Sequence, residues 1–250
     1  MLPWRDTHNV YRILVSEVML QQTQVDRVTP FYKNFIRQFP TAKKLASAPL
    51  GEVLKAWQGL GYNRRAKMLQ AAAAVLAKTN VNTVEELEAL PGVGPYTARA
   101  VAAFAWNRNA IFIETNIRTV IIHHFFPKEK TVPDVAIQKV LTRVLPTGRA
   151  REWYSALMDY GAHLKRTGIS HNARSKTYTK QSKFAGSPRE ARGAILRAVT
   201  QGETSVARLT SLLGKDRKAQ LTAALEALIK EGLVSESPGL KARRARRKSR

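Results

Sequence analysis

From Thr7 to His163 the apolar residues recur at helical spacing rather than alternating as in a half-buried strand. Tyr11, Leu14, Val15 and Val18 share one helical face, and Val25, Val28, Phe31, Tyr32 and Phe35 share another. Short turns punctuate these runs at Phe39-Pro40-Thr41, Ala48-Pro49-Leu50-Gly51, Gly59-Leu60-Gly61 and Pro91-Gly92-Val93-Gly94-Pro95. Thr41 and Thr83 stand where helix N-caps belong, and Glu85 and Glu86 follow Thr83 in the first turn. The pattern predicts an all-α domain over residues 1–164.

Beyond it the composition changes. No carboxylate occurs between Tyr160 and Arg189, whereas Lys165, Arg166, Arg174, Lys176, Lys180, Lys183 and Arg189 are basic, so residues 165–187 are expected to form a polar, positively charged connector. Residues 188–238 then predict three short helices, around Ala194–Val199, Val206–Leu213 and Ala219–Lys230, followed by a strand at Gly232–Ser235. That order fits a winged helix-turn-helix, a duplex-binding module, and equally a plain three-helix satellite. Residues 239–250 are dense in Lys and Arg and read as a disordered arm adding salt-sensitive affinity.

Charge narrows the partner. The chain carries 42 Lys plus Arg against 18 Asp plus Glu, a formal net charge of +24. An excess of that size implies an anionic polymer or surface. No apolar run spans a bilayer and no signal-peptide pattern opens the chain, so a soluble, cytoplasmic protein is expected. The absence of cysteine excludes disulfides, thiolate catalysis and metal clusters built on cysteine.

The segment Leu90-Pro91-Gly92-Val93-Gly94-Pro95-Tyr96-Thr97-Ala98 lies between two helical patterns. Glycines at a helix start leave backbone N–H groups facing outward, where the positive end of the dipole favours a phosphate. Packing alone can also call for glycine there; the Leu-Pro and Thr-Ala flanks and the net charge favour the phosphate. A related turn, Trp57-Gln58-Gly59-Leu60-Gly61-Tyr62, precedes a basic helix that begins Asn63-Arg64-Arg65.

Taken with Ser16-Glu17-Val18-Met19-Leu20-Gln21-Gln22-Thr23-Gln24-Val25 and Leu157-Met158-Asp159-Tyr160-Gly161-Ala162, these segments resemble the MutY-type adenine DNA glycosylases of the helix-hairpin-helix, endonuclease III-like superfamily. The likeness runs from about Leu2 to Lys165. It implies a monomeric base-excision enzyme on nucleoid DNA that flips adenine, mispaired with 8-oxoguanine or guanine, out of double-stranded DNA and hydrolyses its glycosidic bond.

Such chemistry needs a proton donor for the leaving base and a negative charge beside the developing sugar cation. Glu17 sits among Leu14, Val18, Met19 and Leu20, where burial would let it hold a proton near neutral pH. Taken alone it could equally be a salt-bridged acid; the resemblance makes it the general acid. Glu114, in Ile113-Glu114-Thr115-Asn116, follows an apolar approach and opens a helix, so it could simply complement a helix dipole. The resemblance puts it at the family's catalytic aspartate, where Asp-Gly-Asn is usual. Its extra methylene moves the carboxylate by one carbon–carbon bond, a displacement that can cost ~100-fold in rate. Asn116 and Tyr96 match residues that support this centre. Tyr96 also stands where strand-cleaving relatives carry a Schiff-base lysine, which implies monofunctional hydrolysis.

By the same likeness Gln22 and Tyr62 are wedge residues filling the gap left by the flipped base, and Gly92, Gly94 and Arg64 touch the DNA backbone. Trp4, Arg5 and Leu20 would line the purine pocket, with Asp159 beside them. Taken without the likeness, Tyr62 and Trp4 read as ordinary half-buried aromatics. Relatives follow Gly-Ala with four cysteines holding an iron–sulfur cluster; here Lys165 stands near the first, so no cofactor is expected. The family's C-terminal nucleotide-hydrolase-like domain is likewise not expected, since the segment after residue 187 reads only as the short helical unit and its basic arm. Two rivals stand: a thymine or uracil mismatch glycosylase of the same fold, and a non-catalytic DNA-binding protein on that scaffold.

Overall fold

A computed structural model of the chain describes residues 2–175, 183–203 and 205–235. Among the described residues it is helical: α1 (Val10–Leu20), α2 (Val25–Gln38), α3 (Ala42–Ser47), α4 (Leu50–Trp57), α5 (Arg64–Leu76), α6 (Val84–Glu88), α7 (Pro95–Trp106), α8 (Thr115–Phe125), α9 (Asp134–Val144), α10 (Ala150–Arg166), α11 (Pro188–Thr200), α12 (Val206–Leu213) and α13 (Lys218–Lys230). The β structure among them is one isolated bridge, Val132 to Ser175.

The helix starts follow the cap chemistry. The Thr41 side chain accepts from the Lys44 N–H at 3.2 Å, and Thr83 with Glu86 forms a reciprocal capping box. Asn9, Ser187 and Ser205 accept first-turn N–H groups at α1, α11 and α12. The predicted apolar faces are buried at Tyr11, Leu14, Val15 and Val18 in α1 and at Val28, Tyr32 and Phe35 in α2.

Contacts divide the chain into two compact units. Unit 1 comprises Met1–Val18 and Asn80–Gln181; unit 2 comprises Met19–Thr79 and Ser182–Arg250. This division cuts across the expected boundary at residues 164 and 165. In unit 1, α8 packs on α9 and α10, and α7 packs on α10, around Phe112, Ile117, Ile121, Ile122, Ile137, Leu141 and Tyr154. Arg118 of α8 pairs with Asp134 at 3.0 Å, fixing the start of α9. The first part of the basic connector folds onto this unit through polar contacts. Arg174 donates to the carbonyls of Phe126 and Glu129, and its own carbonyl accepts from the Val132 N–H at 2.9 Å.

Unit 2 stacks α3 and α4 on α5, with the Phe35 ring in contact with those of Phe39 and Trp57. Its C-terminal helices α11, α12 and α13 bury Ile195, Leu196, Leu209, Leu221, Leu225 and Leu228, and α11 also packs on α4. The strand expected at Gly232–Ser235 is not formed. Gly232, at φ 63°, donates to the Ile229 carbonyl at 2.8 Å, and Leu233 donates to the Leu228 carbonyl at 2.9 Å. That pair of bonds is a Schellman cap, and the apolar residue after the glycine closes the end of α13 rather than opening a sheet. Any wing beyond residue 235, and the arm at residues 239–250, lie outside the described residues.

Candidate active site and DNA-binding surface

In unit 1 the last turns of α1 carry Glu17 into an apolar interior, where it is only 5 % exposed. The Tyr96 hydroxyl, from the first turn of α7, donates to Glu17 Oε2 at 3.4 Å. Burial pushes the Glu17 carboxyl up to about 7, the Tyr96 hydrogen bond opposes that rise, and the charge of Glu114 adds to it. Burial likewise holds the Tyr96 hydroxyl well above its ordinary range, so it stays a protonated donor. The Tyr96 ring is set edge-on against Phe112, with centroids 5.7 Å apart.

Glu114 is the N-cap of α8. Its Oε1 accepts from the N–H groups of Asn116 at 2.7 Å and Ile117 at 2.8 Å, and its Oε2 accepts from the Thr115 hydroxyl at 3.2 Å. The expected dipole-complementing position is thus real, and it holds the longer side chain in one place. One carboxylate oxygen is tied to the helix start while the other faces a hydroxyl.

Two residues that sequence reasoning did not assign to the site brace it. Gly161, mid-helix in α10, lies so close to α8 that a Cβ there would meet the Asn116 carbonyl oxygen at 2.4 Å. One turn later the Lys165 amine donates to Asn116 Oδ1 at 2.7 Å and to Thr115 Oγ1 at 2.9 Å. Burial lowers the Lys165 pKa, the Glu114 charge opposes that, and Arg118 adds to it. The signal for Gly161 was its place inside a helix, where glycine costs about 1 kcal/mol relative to alanine unless close packing requires it. Lys165 bears on the iron–sulfur cluster that the resemblance raises. An amine hydrogen-bonded to Asn116 and Thr115 occupies the position near the first expected thiolate, and the chain has no cysteine at all. These residues do not fit such a cluster.

Trp4 is buried in unit 1, and Arg5 makes a two-pronged pair with Asp159 at 2.6 and 2.8 Å. Arg151 of α10, another residue unassigned from sequence, donates to the carbonyls of Arg5 at 2.5 Å, Thr7 at 2.8 Å and Phe104. It pins the N-terminal segment that bears Trp4 and Arg5. In the turn before α7, Gly92 has φ 75° and Gly94 is the N-cap with no side chain to supply a cap; both are exposed. Nothing lies within 4 Å of a Cβ built on Gly94, so the backbone at this helix start is open to an anion.

Unit 2 holds the remaining candidates: Leu20, Gln22, Tyr62 and Arg64. Gln22 and Tyr62 both have left-handed backbones, at φ 56° and 48°, conformations that residues other than glycine keep only where surroundings impose them. Arg65 supplies much of that constraint. Its guanidinium donates to the carbonyls of Met19 and Gln21 on one side and of Leu60 and Gly61 on the other, at 2.7 to 3.2 Å. Burial lowers its pKa to about 10, which still leaves it charged at neutral pH. Gly59, at φ 102°, approaches the Phe31 ring so closely that a Cβ would meet it at 2.6 Å. Both expected wedge residues are exposed, as is Arg64.

The profile of the HhH-GPD superfamily base excision DNA repair proteins matches residues 15–147. The adenine DNA glycosylase of Mycolicibacterium smegmatis is 36% identical over 260 residues, covering 94% of this chain and 88% of the relative. That of Mycobacterium tuberculosis is 34% identical over 267 residues, covering 94% and 86%. Among solved structures, a thermostable thymine-DNA glycosylase superposes with a TM-score of 0.56 at 27% identity, covering 65% of this chain and 78% of that one. Endonuclease III trapped covalently on DNA superposes with a TM-score of 0.53 at 22% identity, covering 72% and 81%, which is a likeness of fold.

Proposed function

Since the chain belongs to the HhH-GPD superfamily of base excision DNA repair proteins and, within it, to the adenine DNA glycosylase family, we propose that it hydrolyses the N-glycosidic bond of adenine mispaired with 8-oxoguanine or guanine. The observation that carries this reading is Glu17, buried on α1, holding a proton up to about pH 7 beneath the Tyr96 hydroxyl. A carboxylic acid in that state donates to a ring nitrogen of the leaving purine and makes the base a better leaving group. As the bond breaks, positive charge grows on the sugar. Glu114, anchored at the α8 N-terminus, supplies the opposing charge, with Asn116 fixed behind it by Lys165. Water then adds to the sugar cation and sheds a proton, which Glu17, now ionised, takes up for the next cycle.

With Tyr96 rather than a lysine in the hairpin, the product is an intact abasic site. In this reading Trp4, Arg5 and Asp159 hold the flipped base, Gln22 and Tyr62 fill its place in the stack, and Gly92, Gly94 and Arg64 bind phosphates. The enzyme acts as a monomer on nucleoid DNA and needs no iron.

Single-turnover base release from duplexes holding A opposite 8-oxoguanine, A:G, A:C, T:G and U:G tests the proposal. Release of adenine opposite 8-oxoguanine and guanine, undiminished after treatment with an iron chelator, is the expected outcome. Release confined to T:G or U:G would mean a pyrimidine mismatch enzyme, and no release from any duplex would mean a binding protein.

A further inference from the structure

The C-terminal helices share a unit with the turn bearing Tyr62, and they hold that turn at three points. Gln58, which ends α4, donates to Thr200 of α11. Lys67, in the first turns of α5, donates to the carbonyls of Glu231 at 2.6 Å and Gly232 at 3.5 Å, beyond the end of α13. Gly232 suits this position by its left-handed backbone, at φ 63°, which side-chain-bearing residues rarely adopt. Between these two anchors, Arg189 at the start of α11 donates to the Tyr62 hydroxyl at 3.4 Å, with its guanidinium carbon 5.8 Å from the ring centroid. Arg65 lies 5.3 Å from the same centroid. The Tyr62 ring is therefore gripped by two guanidiniums, one from the helix that follows it, α5, and one from the C-terminal segment.

We propose that Arg189 is a positioning residue for Tyr62, and that α11 to α13 form a brace setting the wedge ring at the angle needed to enter the base stack. The proposal rests on the reading of Tyr62 as the wedge. A ring on a left-handed backbone position, exposed at a turn, loses affinity for the gap if it must first be ordered by the DNA. Two cations at its face impose that order beforehand, and a planar guanidinium stacks on an aromatic ring where an ammonium is only a point charge. On this account the C-terminal segment is part of the flipping machinery and not a tether that merely adds charge.

The test is a double-mutant cycle read by base flipping, which needs no bond cleavage. The duplex carries 2-aminopurine at the target position opposite guanine, and its fluorescence rises when it leaves the stack. At saturating full-length enzyme, Arg189→Ala should reduce the flipped fraction ~10-fold, the scale of one cation–aromatic contact with its hydrogen bond. Tyr62→Ala should reduce it at least as much, and the double variant should be no worse than Tyr62→Ala alone, because Arg189 acts through that ring. Arg189→Lys should restore only part of the loss. Multiplying losses in the double variant, full rescue by lysine, or an Arg189→Ala enzyme that flips normally would each overturn the proposal. A wild-type enzyme that flips 2-aminopurine yet never releases adenine would instead defeat the proposed reaction and leave this inference standing.

Discussion

Each unit withdraws a functional charge from water, Glu17 in unit 1 and Arg65 in unit 2, and the two are handled in opposite ways. Glu17 in unit 1 sits on an apolar helix face and accepts from the Tyr96 hydroxyl; its response is to keep its proton, with the pKa at about 7. Arg65 in unit 2 meets four backbone carbonyls and keeps its charge, with the pKa at about 10. The difference separates two uses of burial. An under-solvated acid is a reservoir of chemistry at a cost in stability, whereas a cation held by four carbonyls through its two terminal nitrogens is a clasp that fixes backbone geometry. Unit 1 stores reactivity and unit 2 stores shape.

The largest expected effect breaks the first half of this contrast. Glu17→Gln keeps size and polarity but cannot deliver a proton, so single-turnover base release should fall on the order of 10³-fold while duplex affinity stays near wild type. Stability should move the other way. The folded-state pKa of Glu17 lies above its ordinary 4.5, so the folded protein loses stability as pH rises between about 4.5 and about 7, and the deficit persists above. Removing the ionisable group should recover up to about 3 kcal/mol at pH 8, measured by urea denaturation. An unstable Glu17→Gln protein would mean that the carboxyl is structural.

Arg65→Met is the converse experiment. It takes the guanidinium away from the carbonyls of Met19, Gln21, Leu60 and Gly61, of which Gln21 and Gly61 keep a second donor, from the Thr23 hydroxyl and the Trp57 indole N–H, and this should cost about 3 kcal/mol by the same denaturation measurement. A variant as stable as wild type would remove the clasp from the account.

Gly161→Ala should cost base release ~100-fold with little loss of DNA binding, since a methyl group there must push α10 away from the N-terminus of α8 that carries Glu114 and Asn116. Unchanged kinetics would show that the two helices give way freely. Lys165→Met should slow release by about tenfold, the value of a charge-assisted hydrogen bond on Asn116, with Lys165→Arg intermediate. Equal loss for both variants would indicate that the amine's position, rather than its charge, is what Asn116 needs.

How much of this was legible beforehand differs by range of interaction. Helices and their caps were readable because Thr41 and Thr83 act within one turn of themselves. Leu233 and Val234 were misread as a strand because an apolar pair after glycine serves a sheet or a Schellman cap equally, and only the partner of the N–H groups decides between them. Glu17 and Tyr96 could be chosen from their motifs, but not the bond between them, which joins residues 79 positions apart. Gly161, Lys165, Arg65 and Arg151 escaped for the same reason: each works on backbone or side chains of another helix or loop. Likewise, no local pattern announces that α11 packs on α4, which merges two segments separated by half the chain.

The central claim is that Glu17 delivers the proton that releases adenine, and the pH dependence of the chemical step tests it most directly. Single-turnover release from a duplex with adenine opposite 8-oxoguanine should be measured at saturating enzyme from about pH 5.5 to about pH 9. The account predicts that the rate holds steady below about 7 and then falls about tenfold per pH unit, as Glu17 loses its proton. A rate that stays flat across that range, or rises above pH 7, would contradict it.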